Sequence, residues 1–148
     1  MRQGLYAILH YAITWSKMPS WEFLDYITER HENPIQDWYG TLAPQKQAAF
    51  DLLVAMLSET EDWDEPKKSK RKYKELTRAH AGLCELLLKV NRTNLRPLGV
   101  LRREQRQFIF LGGCEKHGFW TIPLGAFSRA LRLKEQFEQG KGGTHEHT

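Results

Sequence analysis

The sequence predicts an α+β fold, on three observations. An alternating run, Trp21 to Ile27, reads as a strand; two stretches after Asn33 and Pro44 carry apolar residues at helical spacing; and short alternating runs from Gly82 onward end in a further helical stretch near Gly140. A length of 148 residues suits one domain, and a chain of that size can bury a core without disulfides or metal.

In the first run Trp21, Phe23 and Ile27 fall at odd positions, with Glu22, Leu24 and Tyr26 between them. Asn33 followed by Pro34 is a helix start, because Asn accepts from the orphan N–H groups of the first turn and proline there has no donor to waste. Ile35, Trp38, Tyr39 and Leu42 then share one face. A second helix opens at Pro44 with Ala49, Leu52, Leu53, Met56 and Leu57 at the same spacing, widened by Phe50 and Val54. Glu59 to Lys74 has no apolar period and reads as an exposed connector.

Three strands follow, Leu83–Val90, Leu95–Leu101 and Arg106–Gly113, joined by tight turns at 91–94 and 102–105. Cys84, Leu86, Leu88 and Val90 take one face of the first, and Leu83, Glu85, Leu87 and Lys89 the other. Pro97 cannot donate to a ladder, so the middle strand is expected to be irregular there or to have a free edge. The last helix is expected from Pro123, with Phe127, Ala130, Leu131 and Phe137 inward. Residues 1–19 read as an extension, with Met18 an alternative start; 20–139 as the domain; and 140–148 as a flexible tail too polar and Gly-rich to pack.

Charge is unevenly spread. Residues 1–65 hold 4 Lys/Arg against 11 Asp/Glu, residues 66–106 hold 13 against 3, and residues 107–148 hold 5 against 4. A concentrated basic segment favours a polyanionic partner through counterion release. The run Lys67, Lys68, Lys70, Arg71, Lys72, Lys74 fits a solvated loop equally well. Two cysteines without metal-ligand spacing, Cys84 and Cys114, read as buried small hydrophobes in a reducing, cytoplasmic protein, and argue against a disulfide framework and a zinc site. No apolar run approaches the ~20 residues of a membrane-spanning helix.

The order strand, two helices, basic connector, three-stranded meander and closing helix resembles the RelE/HigB superfamily of toxins from toxin–antitoxin pairs, in its phage-derived HigB-like branch. The likeness covers about Trp21 to Phe137. It rests on Phe23-Leu24-Asp25-Tyr26 with Asn33-Pro34-Ile35-Gln36-Asp37-Trp38, on Gly82-Leu83-Cys84-Glu85-Leu86, and on Arg96. It also rests on Phe108-Ile109-Phe110-Leu111-Gly112-Gly113-Cys114-Glu115-Lys116 and on Ile122-Pro123 with Ala130-Leu131-Arg132. The resemblance implies a compact RelE-like fold, an N-terminal strand and two helices packed on an antiparallel sheet with a C-terminal helix, and a metal-independent endoribonuclease without cofactor that cuts mRNA at the ribosome. It further implies a cognate antitoxin with a helix-turn-helix DNA-binding domain, and no membrane partner. One departure stands out: the family carries Glu-Leu-Arg in the first meander strand, and here Leu87 follows Glu85-Leu86.

Metal-free RNA cleavage uses the substrate's 2′-hydroxyl as nucleophile, so the protein must accept a proton, stabilise phosphate charge and protonate the leaving oxygen. Arg96, at the family's arginine position, is the first choice of phosphate clamp, since guanidinium binds phosphate bidentately, and Lys116 is the second. His117 is either the general acid or base or a solvated loop residue. Lys89, Arg92, Arg102, Arg103 and Arg106 are expected to contact RNA. Trp120, with Phe119, either stacks a base or packs in the core. Glu85 either orients a cation, serves as a base or forms a structural ion pair with Lys89. The competing classes are a non-catalytic nucleic-acid-binding regulator and a phage assembly protein.

Overall fold

The computed structural model describes residues 20–65 and 72–148. The expected extension over 1–19, with Met18, and Lys67, Lys68, Lys70 and Arg71 of the basic run lie outside them. In chain order the elements are β1 (Glu22–Ile27), α1 (Pro34–Tyr39), α2 (Pro44–Glu59), β2 (Tyr73–Glu75), β3 (Cys84–Leu86) and β4 (Leu88–Val90). These are followed by β5 (Thr93–Arg102), β6 (Gln107–His117), β7 (Trp120–Ile122), α3 (Ala126–Glu138) and β8 (Gly143–Glu146). The class is α+β, and the sheet, expected to be antiparallel, is mixed because β1 runs parallel to β6; its order is β2-β3-β5-β6-β1-β8, with β4 also on β5 and β7 also on β6.

Long β5 and β6 form the central hairpin, and β1 lies parallel to β6, a pairing that the helical crossover between them permits. Asn33 caps α1 by accepting from the Gln36 amide at 3.2 Å, and Pro34 occupies the first turn. The sheet is buried on both faces. On the front, α1 and α2 cover it with Phe23, Trp38, Phe50, Leu86, Phe108 and Phe110 among the core residues. On the back, α3 covers Tyr26, Leu83, Leu98, Ile109 and Cys114 with Ala130 and Leu133.

A bulge in β6 decides what the far end of the strand presents. Leu98 pairs with Gly112 and Gly99 with Phe110, so Leu111 is an extra residue and the alternation of faces inverts beyond it. Phe108 and Phe110 therefore face front, whereas Cys114 faces back although it too is even-numbered. Lys116 follows Cys114 to the back, and Gly113, Glu115 and His117 turn to the front. At Gly113 a Cβ would run into the Trp38 indole, so only glycine lets α1 approach this closely.

The first meander strand is broken at Leu87, giving β3 and β4 in place of one strand. The break matches Pro97. β3 pairs with Leu98 and Gly99, β4 with Thr93 to Leu95, and the stretch of β5 between them, Arg96-Pro97, has no ladder partner on that side. The Leu87 amide donates instead to the Lys72 carbonyl at 2.8 Å.

Four expectations are corrected. The segment 140–148 is not a free tail: β8 pairs antiparallel with β1, and His147 is buried beside Asp25. In α2, Phe50, Leu53 and Leu57 are buried, while Leu52 and Met56, assigned to the same face, are exposed. The connector is not wholly exposed, because Trp63 packs against Trp21 and Tyr73 in the front core. Helix α3 starts at Ala126 after Gly125 in the left-handed region, which leaves Pro123 outside it.

Candidate nucleic-acid interface

Strand register brings four polar side chains into one row at the end of the sheet formed by the 91–92 turn and the β6–β7 hairpin. Lys89 of β4 pairs with Asn94 of β5, Asn94 with Lys116 of β6, and Lys116 with Thr121 of β7. Cross-strand partners share a face, so all four lie on the back of the sheet, with neighbours spaced by roughly 5 Å. Among the described residues Lys89 and Lys116 form no ion pair within 4.0 Å. Arg92 is exposed at the adjoining turn, in the left-handed region, and Asn91 beside it donates to Gln45 of α2 at 2.7 Å.

Arg96 lies two residues inward of Asn94 on the same face and pairs with Cys114. Its Nη1 donates to the carbonyls of Leu95 at 3.0 Å and Leu88 at 3.4 Å, and its Nε stands 3.8 Å from Glu85 Oε1. Only 15% of the Arg96 side chain and 2% of the Glu85 side chain are exposed. Glu85 therefore faces Arg96 and not Lys89, at ion-pair distance and without a hydrogen bond between them. The guanidinium is thus anchored at Nη1, while its Nε is buried against the carboxylate with no hydrogen-bond partner.

His117 does not join this face. It pairs with Trp120 on the front, and its Nε2 lies 3.2 Å from Glu115 Oε2, while Glu115 Oε1 accepts from Lys46 Nζ at 2.6 Å. Burial pushes the Glu115 carboxyl up, but hydrogen bonds from Lys46 and His117, together with their charges, leave it below the usual glutamate value. The three expected catalytic residues thus divide, with Arg96 and Lys116 on the back and His117 one residue further on the front.

The remaining arginines cluster at the opposite end of β5 and are engaged. Arg103 donates to the Tyr73 hydroxyl at 2.7 Å and to Glu75 at 2.8 Å, with Asp64 at 3.4 Å. Arg106 reaches Glu61 at 3.5 Å, and the Arg102 guanidinium lies over the Phe137 ring at 5.9 Å. Phe119 and Trp120 are exposed, Trp120 at 67%, so core packing does not explain them. Cys84 and Cys114 are buried, and desolvation first, then nearby carboxylates, pushes their thiols up to about 11 and about 12. Such thiols are poor nucleophiles at neutral pH.

Sequence reasoning missed the most buried polar cluster. His147 Nδ1 lies 2.6 Å from Asp25 Oδ1, while Asp25 Oδ2 accepts from Asn33 at 2.9 Å and Gln36 at 3.1 Å. The His147 ring packs against Phe50 and Phe110. Burial alone would raise the Asp25 carboxyl; the bonds from His147, Asn33 and Gln36 and the His147 charge bring it below its ordinary value. The alternation of β1 could have flagged Asp25, a carboxylate on the same face as Phe23, but nothing local marks its partner 122 residues away. Among the described residues no group of three His, Cys, Asp or Glu side chains could hold a metal ion, and no helix is long and apolar enough to cross a membrane. No family model, curated protein or solved structure matches this chain.

Proposed function

We propose that this chain is a metal-independent endoribonuclease of the RelE/HigB kind, cutting mRNA at the ribosome in the cytoplasm and silenced by a helix-turn-helix antitoxin. The observation that carries the reading is the row Lys89–Asn94–Lys116 with Arg96 behind it, a line of donors on one face that suits the backbone of a single RNA strand. In the reaction the 2′-oxygen bonds to phosphorus as its proton leaves to a base, the bond to the 5′-oxygen breaks, and that oxygen takes up a proton. A 2′,3′-cyclic phosphate and a 5′-hydroxyl result. Arg96 and Lys116 stabilise the added phosphoryl charge. His117, with its Nε2 held by Glu115, lies on the opposite face from the phosphate that Arg96 and Lys116 hold, so the two proton steps are assigned to water and to RNA groups at the ribosome.

A second reading, RNA binding without cleavage, is favoured by the burial of Arg96 between Glu85 and two carbonyls and by Leu87 where the family has a cation. One experiment separates them: purified protein is incubated with mRNA, free and on programmed ribosomes, and the ends are mapped. Cleavage to cyclic-phosphate ends that disappears in Arg96→Ala and Lys116→Ala supports the enzyme. Bound but intact transcripts, with normal growth on induction, overturn it in favour of the second reading.

A further inference from the structure

We propose that the cleft beside β7 receives a single unstacked base of the RNA whose backbone lies on the cation row, an inference that rests on the nucleic-acid reading above. Strand β6 is paired by β1 up to Phe110 and by β7 from Glu115. On the side away from β5, Leu111 to Cys114 meet no strand among the described residues, and of these Leu111, Gly112 and Gly113 reach the cleft, with Gly112 the one that is not buried. This gap is the floor of a cleft of about 420 Å³. Trp38, Ile122, Pro123 and Ala130 give apolar walls, and Asp37 and Arg129 stand in its lining with opposite charges. The volume falls within the roughly 300–1,000 Å³ of small-ligand sites.

The occupant follows from shape, chemistry and continuity. A base is flat and apolar on its faces with donors and acceptors along its edge, which matches apolar walls, an open strand edge and two unlike charges. Thr121 belongs to the cation row and its neighbour Ile122 to the cleft wall, so a strand crossing the row from Lys89 reaches the cleft at β7 without leaving the protein surface. An added peptide strand fits less well. The open edge is four residues long and closed at one end by β1 and at the other by β7, whereas strands most often run to about five or six residues.

The test is fluorescence anisotropy with labelled heptamers of A, U, C and G at fixed salt, on the wild-type chain, Ala130→Phe to fill the cleft, Asp37→Asn and Arg129→Ala to alter its lining charges, and Lys116→Ala in the row. The wild-type chain is expected to favour one base by about tenfold or more. Ala130→Phe, or the two lining-charge variants if it does not fold by circular dichroism, should erase that preference and retain the salt-dependent remainder. A wild-type chain without preference, or a preference that survives these changes, overturns the base pocket even if Lys116→Ala weakens binding. A surviving preference with loss of binding to a short apolar peptide would assign the cleft to peptide. No binding of any heptamer, with no effect of Lys116→Ala, would instead remove the nucleic-acid reading on which the pocket depends.

Discussion

The two ends of the meander carry similar numbers of basic residues and use them in opposite ways. At one end Arg102, Arg103 and Arg106 meet the Phe137 ring, Tyr73, Glu75, Asp64 and Glu61. At the other, Lys89 and Lys116 stand in a row and Arg92 is exposed at the turn beside them. Basic composition therefore does not distinguish a structural cation from a binding one. The distinction lies in whether the fold brings a carboxylate or a ring to meet it, because a satisfied cation has less to offer a phosphate.

Four measurements break or sharpen that contrast, beginning with the largest expected effect. The extreme of the satisfied class is Asp25 with His147. Asp25→Ala should lower unfolding free energy by about 3 kcal/mol in urea titration, since it strands a buried partner. If stability were unchanged, the docking of β8 would not depend on the pair. Next, the double change Lys89→Ala with Lys116→Ala should weaken RNA binding by about tenfold to a hundredfold and flatten its dependence on salt by about 1.4 in the log–log slope, the value for two phosphate contacts on a single strand. An undiminished salt slope would remove the row from the interface.

Smaller effects follow. Trp120→Ala should leave the melting temperature unmoved, because the ring is exposed, and reduce single-strand affinity by about fivefold or more; a marked loss of stability would return it to the core. Arg103→Ala is the complement. It should cost under about 1 kcal/mol, given its half-exposed side chain, and leave RNA affinity unchanged.

The pH dependence of the satisfied cluster has a defined sign. The folded Asp25 carboxyl titrates below its ordinary 3.8, so its stabilisation is fully present above that value and is lost as pH falls through the lower folded value. Gln36→Ala removes one of the bonds that lower it and should move the loss of stability to higher pH. Acid unfolding curves that coincide would contradict this account.

The candidate site was only partly legible. Alternation placed Cys84 and Leu86 on one face and Glu85 on the other, and both turns fell where the chain reverses, because these depend on neighbours in sequence. The division of Lys116 from His117 needs only alternation, but which face each takes depends on the Leu111 bulge, and no local pattern marks it. Leu52 and Met56 have the spacing of core residues yet are exposed, because helical period fixes a stripe and not which edge of it meets the sheet.

By itself the sequence determined an α+β chain of strand, two helices, meander and helix, with positive charge gathered in its middle, since turn residues, helix caps and period are local properties. Only the tertiary structure decided which cations are spent on carboxylates, that Glu85 lies beneath Arg96, and that the C-terminal segment closes the sheet through His147. Those depend on which distant groups meet, and a buried Asp25 that holds His147 against Phe50 and Phe110 makes a Gly-rich end pack where its composition favours solvent.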